Sequence, residues 1–151
     1  MDGPPRPAPT AGGGAVASGP ARVVLDANVF VGAGFRPASA SGRLVAAVRA
    51  GRLVAVWAAP TRAEAERVVG QIPPLAAFDW AGVFGPEGEW AAPLDLAPWA
   101  HIAGRLDRTL AALALAAAAP LVTADRPLAD GARAGGVAVL RPTQAATAFG
   151  L

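Results

Sequence analysis

The chain contains no cysteine and no tyrosine, and it has a single histidine. All 13 of its basic residues are arginine, so lysine is absent as well. Without cysteine the sequence offers neither a disulfide framework nor a thiol nucleophile, which favours a reducing, cytoplasmic location. One histidine without cysteine also excludes an ordinary zinc site, because zinc is usually held by several nitrogen or sulfur ligands.

The missing lysine excludes two further classes of protein. A P-loop NTPase needs the sequence Gly-Lys-Ser/Thr, and a receiver domain needs a lysine on a late strand. Gly32-Ala33-Gly34 lacks the third glycine of a dinucleotide-binding fingerprint. A net charge of only +2 is weak evidence for nucleic acid as a partner.

Long apolar runs are also missing, although 54% of the residues are apolar and many of them are alanine. The run from Leu110 to Ala119 stops at Pro120 and is shorter than the roughly 18 to 20 residues that cross a bilayer, so no membrane span is predicted. Residues 1–20 are nearly all Gly, Pro, Ala and Ser, without the apolar segment of a secretory signal, and we expect a disordered arm. Residues 21–151 are predicted to form one domain.

Short apolar strands alternate with helical patterns along this domain. The predicted strands are 22–25, 53–57, 121–123 and 137–140, and the predicted helices are 41–50, 60–69, a helix from 98 or 107 to 119, and a helical turn at 126–133. This alternation predicts a three-layer α/β/α fold with a central parallel sheet of about four to five strands. Residues 71–97 are predicted to hold short helical pieces and loops, and their aromatic residues predict a satellite core or a homodimer face rather than a base-stacking surface.

Acidic residues stand out against this background. Asp26 and Asp125 directly follow apolar strands, and Glu64 and Asp107 lie where helices begin. Because loops at the carboxyl ends of parallel strands meet in one crevice, we expect these carboxylates to converge. Converging carboxylates repel one another unless a cation neutralises them, so metal-dependent chemistry is the first hypothesis.

Each acid also has a structural interpretation. Asp26 and Asp125 could cap turns, and Asp107 would be favoured by the free N–H groups at the start of a helix. Thr61-Arg62-Ala63-Glu64 has the form of a capping box, in which the glutamate reaches back to the Thr61 N–H. Independent caps would not require all of these acids to lie on one edge of the sheet, which favours a shared site.

Four segments resemble the motifs of PIN domains, the nuclease fold of VapC-like toxins. Val24-Leu25-Asp26-Ala27-Asn28 resembles the opening strand and DxN motif, and Thr61-Arg62-Ala63-Glu64 resembles the segment that carries the second acid. Asp107-Arg108-Thr109 resembles the third acid at the head of a helix, and Thr123-Ala124-Asp125 resembles the TxD motif. The resemblance covers residues 22–142.

The resemblance implies a ribonuclease that uses Mg²⁺ or Mn²⁺ to hydrolyse RNA phosphodiester bonds. Asp26, Glu64, Asp107 and Asp125 would be its catalytic and metal-binding residues, with Asn28 and Thr123 as polar supports. The arginines that flank the acids are predicted to contact RNA phosphates, because guanidinium groups match phosphate geometry; they are Arg36, Arg62, Arg108 and Arg126.

Two questions stay open at the level of sequence. The main alternative to a nuclease is a non-catalytic module of the same fold that binds RNA or a protein partner. A nuclease, in turn, could be the toxin of a toxin-antitoxin pair, held inactive by an antitoxin protein, or a stand-alone RNA-processing enzyme.

Overall fold

The computed structural model describes residues 19–151, so most of the predicted N-terminal arm lies outside the described residues. The strands are β1 (Ala21–Leu25), β2 (Leu53–Ala55), β3 (Leu121–Val122) and β4 (Val139–Leu140). The α-helices are α1 (Ala27–Phe35), α2 (Ala40–Arg49), α3 (Ala59–Gly70), α4 (Arg105–Ala117), α5 (Arg126–Ala134) and α6 (Pro142–Ala148). Single turns of 3₁₀ helix occupy Pro73–Leu75, Pro86–Gly88 and Ala97–Trp99.

The four strands form one parallel sheet in the order β2-β1-β3-β4. The chain leaves β1 towards β2 on one side and leaves β3 towards β4 on the other. Strand order therefore reverses between β1 and β3, and in sheets of this kind the crevice outside that reversal is where ligands bind. The predicted parallel sheet is confirmed, at the lower end of its expected strand number.

Apolar side chains cover both faces of the sheet. Val23 and Leu25 of β1 lie in a core shared with α1, α2 and α3, whereas Val24 points into a second core shared with α4 and α5. Val122 and Leu121 of β3 divide in the same way. Because successive strand residues face opposite sides of the sheet, these short strands are buried on both faces. Helices therefore cover both faces, which gives the predicted three-layer α/β/α fold.

Two helices were not predicted from the sequence. Helix α1 contains two glycines and two valines, all of which have low intrinsic helix propensity. Burial of Val29, Phe30 and Ala33 against the core stabilises helix α1 and compensates for these low propensities. Helix α6 begins at Pro142 and buries only Ala145 and Ala146, so its seven residues carry little apolar periodicity to recognise.

The segment 71–97 contains 3₁₀ turns and loops, as predicted. Its Phe78, Trp80 and Phe84 pack around the buried Phe30, with ring centroids 5.2 to 6.4 Å from that ring. They extend the core on one face of the sheet, which agrees with the satellite-core interpretation. Homodimerisation stays a prediction.

Among residues 19–151, no helix has both the length and the apolar character needed to cross a membrane.

Candidate functional site

The carboxylates that the sequence singled out line one cleft. Asp26, Glu64, Asp107 and Asp125 share a cleft of about 170 Å³ with Asn28 and Thr61. Its remaining wall is apolar and comes from Leu25, Ala27, Val68, Leu106 and Leu110. The structure therefore brings the four acids to the carboxyl edge of the sheet, at the point where strand order reverses. Thr61 was not expected in this wall, and its place in the first turn of α3 was the available signal.

Strand ends and helix starts position the acids. Asp26 immediately follows β1, and Asp125 lies three residues after the end of β3 and caps α5. Glu64 lies in the first half of α3, and Asp107 lies in the first turn of α4. Helix α4 is preceded by Gly104, whose φ of 86° is a left-handed conformation that residues with a side chain seldom adopt. The chain can thereby enter the helix in the direction that turns Asp107 towards the cleft.

The hydroxyl of Thr123 joins the two strand ends. It donates to Asp26 Oδ2 over 2.7 Å and accepts from the Asp125 N–H over 3.0 Å. Thr123 is only 1% exposed and Asp26 only 8% exposed, so both hydrogen bonds lie where water contributes little. The predicted supporting role of Thr123 thus corresponds to a concrete contact with one acid and with the backbone of another.

Replacing Thr123 with valine is expected to lower the free energy of unfolding by about 1–3 kcal/mol, because the near-isosteric methyl leaves a buried carboxylate without its hydroxyl donor. Thr123→Ser keeps the hydroxyl and should recover most of that loss. Urea denaturation of the three proteins at neutral pH measures the difference. A serine variant that loses stability while the valine variant keeps it would show that the methyl group, and not the hydrogen bond, is what matters.

Two of the acids carry unfavourable charge. Burial raises the pKa of Asp26 above its ordinary value of 3.8, an effect that the Thr123 hydrogen bond partly offsets and the Asp125 charge increases. Burial also raises the pKa of Asp107, and the charges of Asp26, Asp125 and Glu64 raise it further. The pKa of Asp107 is therefore directly sensitive to the other three acids. Such a cleft favours either bound protons or a bound cation.

The capping interpretation of Glu64 is wrong. The N-cap of α3 is Ala58, and Thr61 closes the turn by accepting from the Ala58 N–H over 3.0 Å and donating to the Ala58 carbonyl. Glu64 instead accepts two hydrogen bonds from the Arg67 guanidinium, at 3.0 and 3.1 Å. By contrast, Asp107 lies in the first turn of α4, where the free N–H groups favour a carboxylate, so its structural interpretation is confirmed.

The cap predicted for Asp125 is confirmed. Its Oδ1 accepts from the Leu128 N–H over 3.1 Å at the start of α5. Asp26 occupies the N-cap position of α1 but makes no side-chain capping bond there, because its carboxylate faces Thr123. Asp125 therefore has a structural role in addition to its place in the cleft wall, whereas Asp26 is committed to the cleft.

Polar side chains in the cleft wall are limited to the four acids, Asn28 and Thr61. Neither the comparison with protein-family models nor the comparison with curated proteins gave a match to this chain. The assignment of chemistry therefore rests on these side chains and their geometry.

The flanking arginines differ in how their guanidinium groups are used, and none lines the cleft. Arg62 lies over the rings of Trp57 and Phe84 and pairs with Glu66. Arg108 donates to the backbone carbonyls of Ile102 and Ala100. Internal contacts thus occupy two of the arginines predicted to bind phosphate.

The other two arginines of that prediction are exposed. Arg36 follows α1 and lies outside the cleft. Arg126 begins α5 and faces a neighbouring depression that shares Asp125 with the cleft. Of the four predicted phosphate contacts, Arg126 is the one placed beside the acids.

The donor set suits a hard divalent cation in its chemistry. Carboxylate and amide oxygens are the ligands that Mg²⁺ and Mn²⁺ prefer, and Mg²⁺ commonly keeps several waters and takes only one or two carboxylates. Within residues 19–151, however, no three acidic or histidine side chains lie close enough together to hold a metal ion directly. Arg67 pairs with Glu64, and the Leu128 N–H donates to Asp125, so two of the four acids already have partners in the protein. The side chains fit a partly hydrated cation better than a fully enclosed one.

Proposed function

We propose that this protein is a metal-dependent endoribonuclease of the PIN type, which hydrolyses RNA phosphodiester bonds with Mg²⁺ or Mn²⁺. The observation that carries the proposal is the shared cleft of Asp26, Glu64, Asp107 and Asp125 at the strand-order reversal of a parallel sheet. The raised pKa of Asp26 and of Asp107 supports it, because these carboxylates would gain from a bound cation.

Asp26 and Asp107 are the residues that would hold the cation, since burial in the cleft raises the pKa of each and a bound cation would offset that. Asp125 and Glu64 would border it, and Asn28 would supply a neutral oxygen. A divalent cation supplies a water of lowered pKa and neutralises charge that develops on phosphoryl oxygens.

Hydrogen bonds within the protein orient two of the carboxylates that would surround the cation. The Thr123 hydroxyl fixes Asp26 Oδ2, and the Leu128 N–H fixes Asp125 Oδ1, so two acids are held before any ligand arrives. Arg67 competes for Glu64, whose release from this ion pair would leave its carboxylate free to face a cation in the cleft.

A matched pair of substitutions on α3 tests the proposal. Glu64→Gln removes a cleft carboxylate, whereas Glu66→Gln removes a carboxylate of the same helix that pairs with Arg62 outside the cleft. Each loses one partly exposed ion pair, so both should change the unfolding free energy by less than about 0.5 kcal/mol. We expect Glu64→Gln to lower cleavage of unstructured single-stranded RNA in Mn²⁺ by about tenfold or more, and Glu66→Gln to cleave like the wild type.

The wild-type comparison sets the baseline for that assay. The unmodified protein should cleave with Mn²⁺ or Mg²⁺ and stop in EDTA. Cleavage that persists in EDTA would contradict a metal-dependent mechanism, and equal activity of the two glutamine variants would remove Glu64 from the site.

One observation favours the alternative of a non-catalytic module that binds RNA or a protein. No three acids of residues 19–151 are preassembled to hold a metal, and Arg67 neutralises one of them. Absence of cleavage by the wild type in Mn²⁺, with RNA still bound, would favour this module. The toxin and stand-alone settings, an antitoxin partner and a cytoplasmic location remain proposals, and the cleavage assay does not depend on which of them holds.

A further inference from the structure

Charge changes sign along the carboxyl edge of the sheet. Asp26 follows β1, Asp125 follows β3, and Arg141 is the first residue after β4. The position directly after the strand therefore carries an acid at the inner strand β1 and a cation at the outer strand β4. Arg141 was not among the arginines predicted to contact RNA, because none of the four acids lies near it in the sequence.

Beside the acid cleft lies a polar depression of about 460 Å³, which we call the arginine basin. Its charged lining consists of Arg126, Arg133, Arg141, Asp125 and Asp130. Thr123, Ala124 and Ala129 complete it. Asp125 lines both the basin and the acid cleft, so the two are contiguous.

The guanidinium groups of the basin are only partly used within the protein. Arg133 lies 3.8 Å from Asp130 and donates to the Val139 carbonyl over 3.4 Å, both weak contacts. The side chains of Arg126 and Arg141 make no hydrogen bond or ion pair with another residue of 19–151. Exposed cations that pair with no other residue of the described part of the chain, gathered in one concave surface, suit an anion.

We propose that the arginine basin binds phosphodiester groups of the RNA. These groups would neighbour, along the same strand, the phosphodiester group that lies in the acid cleft. This inference rests on the proposed function for the identity of the polymer. A polyanion approaching four carboxylates meets repulsion, and cations on a contiguous surface offset it while leaving the cleft acidic. Guanidinium contacts to phosphate fix the register of a strand without reading its sequence.

Binding by the full chain in EDTA tests the basin separately from cleavage. The probe is a fluorescently labelled, unstructured oligoribonucleotide, titrated over a range of NaCl concentrations. Arg141→Gln should weaken binding roughly tenfold at low salt and reduce the slope of log affinity against log salt by about 0.7, equally for two unrelated sequences. The substitution leaves the Arg141 backbone N–H, which donates to Gln144, in place.

Two further variants act as controls. Arg52→Gln removes the same charge from an exposed residue that precedes β2, at the opposite edge of the sheet, and should bind like the wild type. Arg141→Lys keeps a positive charge and should keep the salt slope. Wild-type affinity and slope in Arg141→Gln would overturn the proposal.

The outcomes separate the two proposals. RNA that binds through Arg141 but is never cut in Mn²⁺ would support the basin and contradict the nuclease. RNA that is cut in Mn²⁺ but binds Arg141→Gln like the wild type would contradict the basin alone. If inorganic phosphate stabilised the wild type but not Arg141→Gln, while RNA bound both proteins equally, the basin would be a site for free phosphate, and the strand-binding proposal would fail.

Discussion

Asp26→Asn is expected to lower metal-dependent RNA cleavage by at least about a hundredfold and, in the absence of metal, to stabilise the protein at neutral pH. Even partners of metal ligands cost about 10- to 100-fold when they are lost, and Asp26 is the most buried acid of the cleft. Burial of the charged carboxylate raises the Asp26 pKa, and a neutral asparagine avoids the free-energy cost of burying that charge. Its side-chain oxygen can still accept from Thr123.

The stabilisation has a definite dependence on pH. Between the ordinary pKa of 3.8 and the raised pKa of the folded state, the native protein binds more protons than the unfolded chain. Stability of the wild type therefore falls as pH rises through this window, by about 1.4 kcal/mol for each pH unit between the two pKa values. Below 3.8 Asp26 is protonated in both states, so the advantage of Asp26→Asn should vanish there and reach its full size above the folded pKa.

Thermal melting in EDTA from about pH 3 to 8 measures this difference, at roughly 2–4 °C for each kcal/mol in a domain of this size. Asp79→Asn is the matched control, because Asp79 is exposed and its side chain accepts only from the Ala81 N–H, as asparagine also can. Added Mn²⁺ should raise the melting temperature of the wild type more than that of Asp26→Asn. A variant that melts below the wild type at neutral pH in EDTA would show that the Asp26 charge stabilises the native protein.

Gly42→Ala should destabilise the fold by about 3 kcal/mol or more, although alanine is normally the better helix former by about 1 kcal/mol. Gly42 lies in the first turn of α2, and a Cβ there would overlap the backbone carbonyl of Pro37. Because the obstacle is backbone rather than a mobile side chain, relief requires the loop before α2 to move. That loop also contains Ser39, whose hydroxyl caps the helix.

Gly70→Ala provides the comparison. Gly70 is the last residue of α3, and a Cβ there would meet nothing within 4 Å. The change should be neutral or stabilising by up to about 1 kcal/mol. Denaturant midpoints of both variants test the contrast, and a Gly42→Ala protein as stable as Gly70→Ala would mean that the loop yields easily.

The sequence predicted the parts of the site that follow from strand ends. Asp26 and Asp125 each follow an apolar strand, and sheet geometry alone brings them together. The partners of Glu64 and Asp107 could not be predicted in the same way. Arg67 binds Glu64 through side-chain geometry three residues along a helix, and the start of α4 depends on the backbone conformation of Gly104.

Short strands and helices account for most of the remaining differences between the elements predicted from the sequence and those in the structure. Strands β3 and β4 have two residues each, and their ends are set by pairing with neighbours rather than by composition. Helix α1 exists because Phe30 is buried among aromatic residues that are distant in the chain, Trp80 and Phe84 among them. Such long-range packing leaves no local pattern, so the sequence alone did not predict it.

The alanine-rich core has a consequence for the dimensions of the cleft. Helix α4 carries Asp107 and contacts β1 and β3, and the side chains it buries beside Val24 and Leu121 include Ala111, Ala112 and Ala114. Small side chains let a helix axis lie close to its neighbours. The separation between Asp107 and Asp26 is thus governed by methyl groups beneath them, and the width of the cleft is a property of the core rather than of the residues that line it.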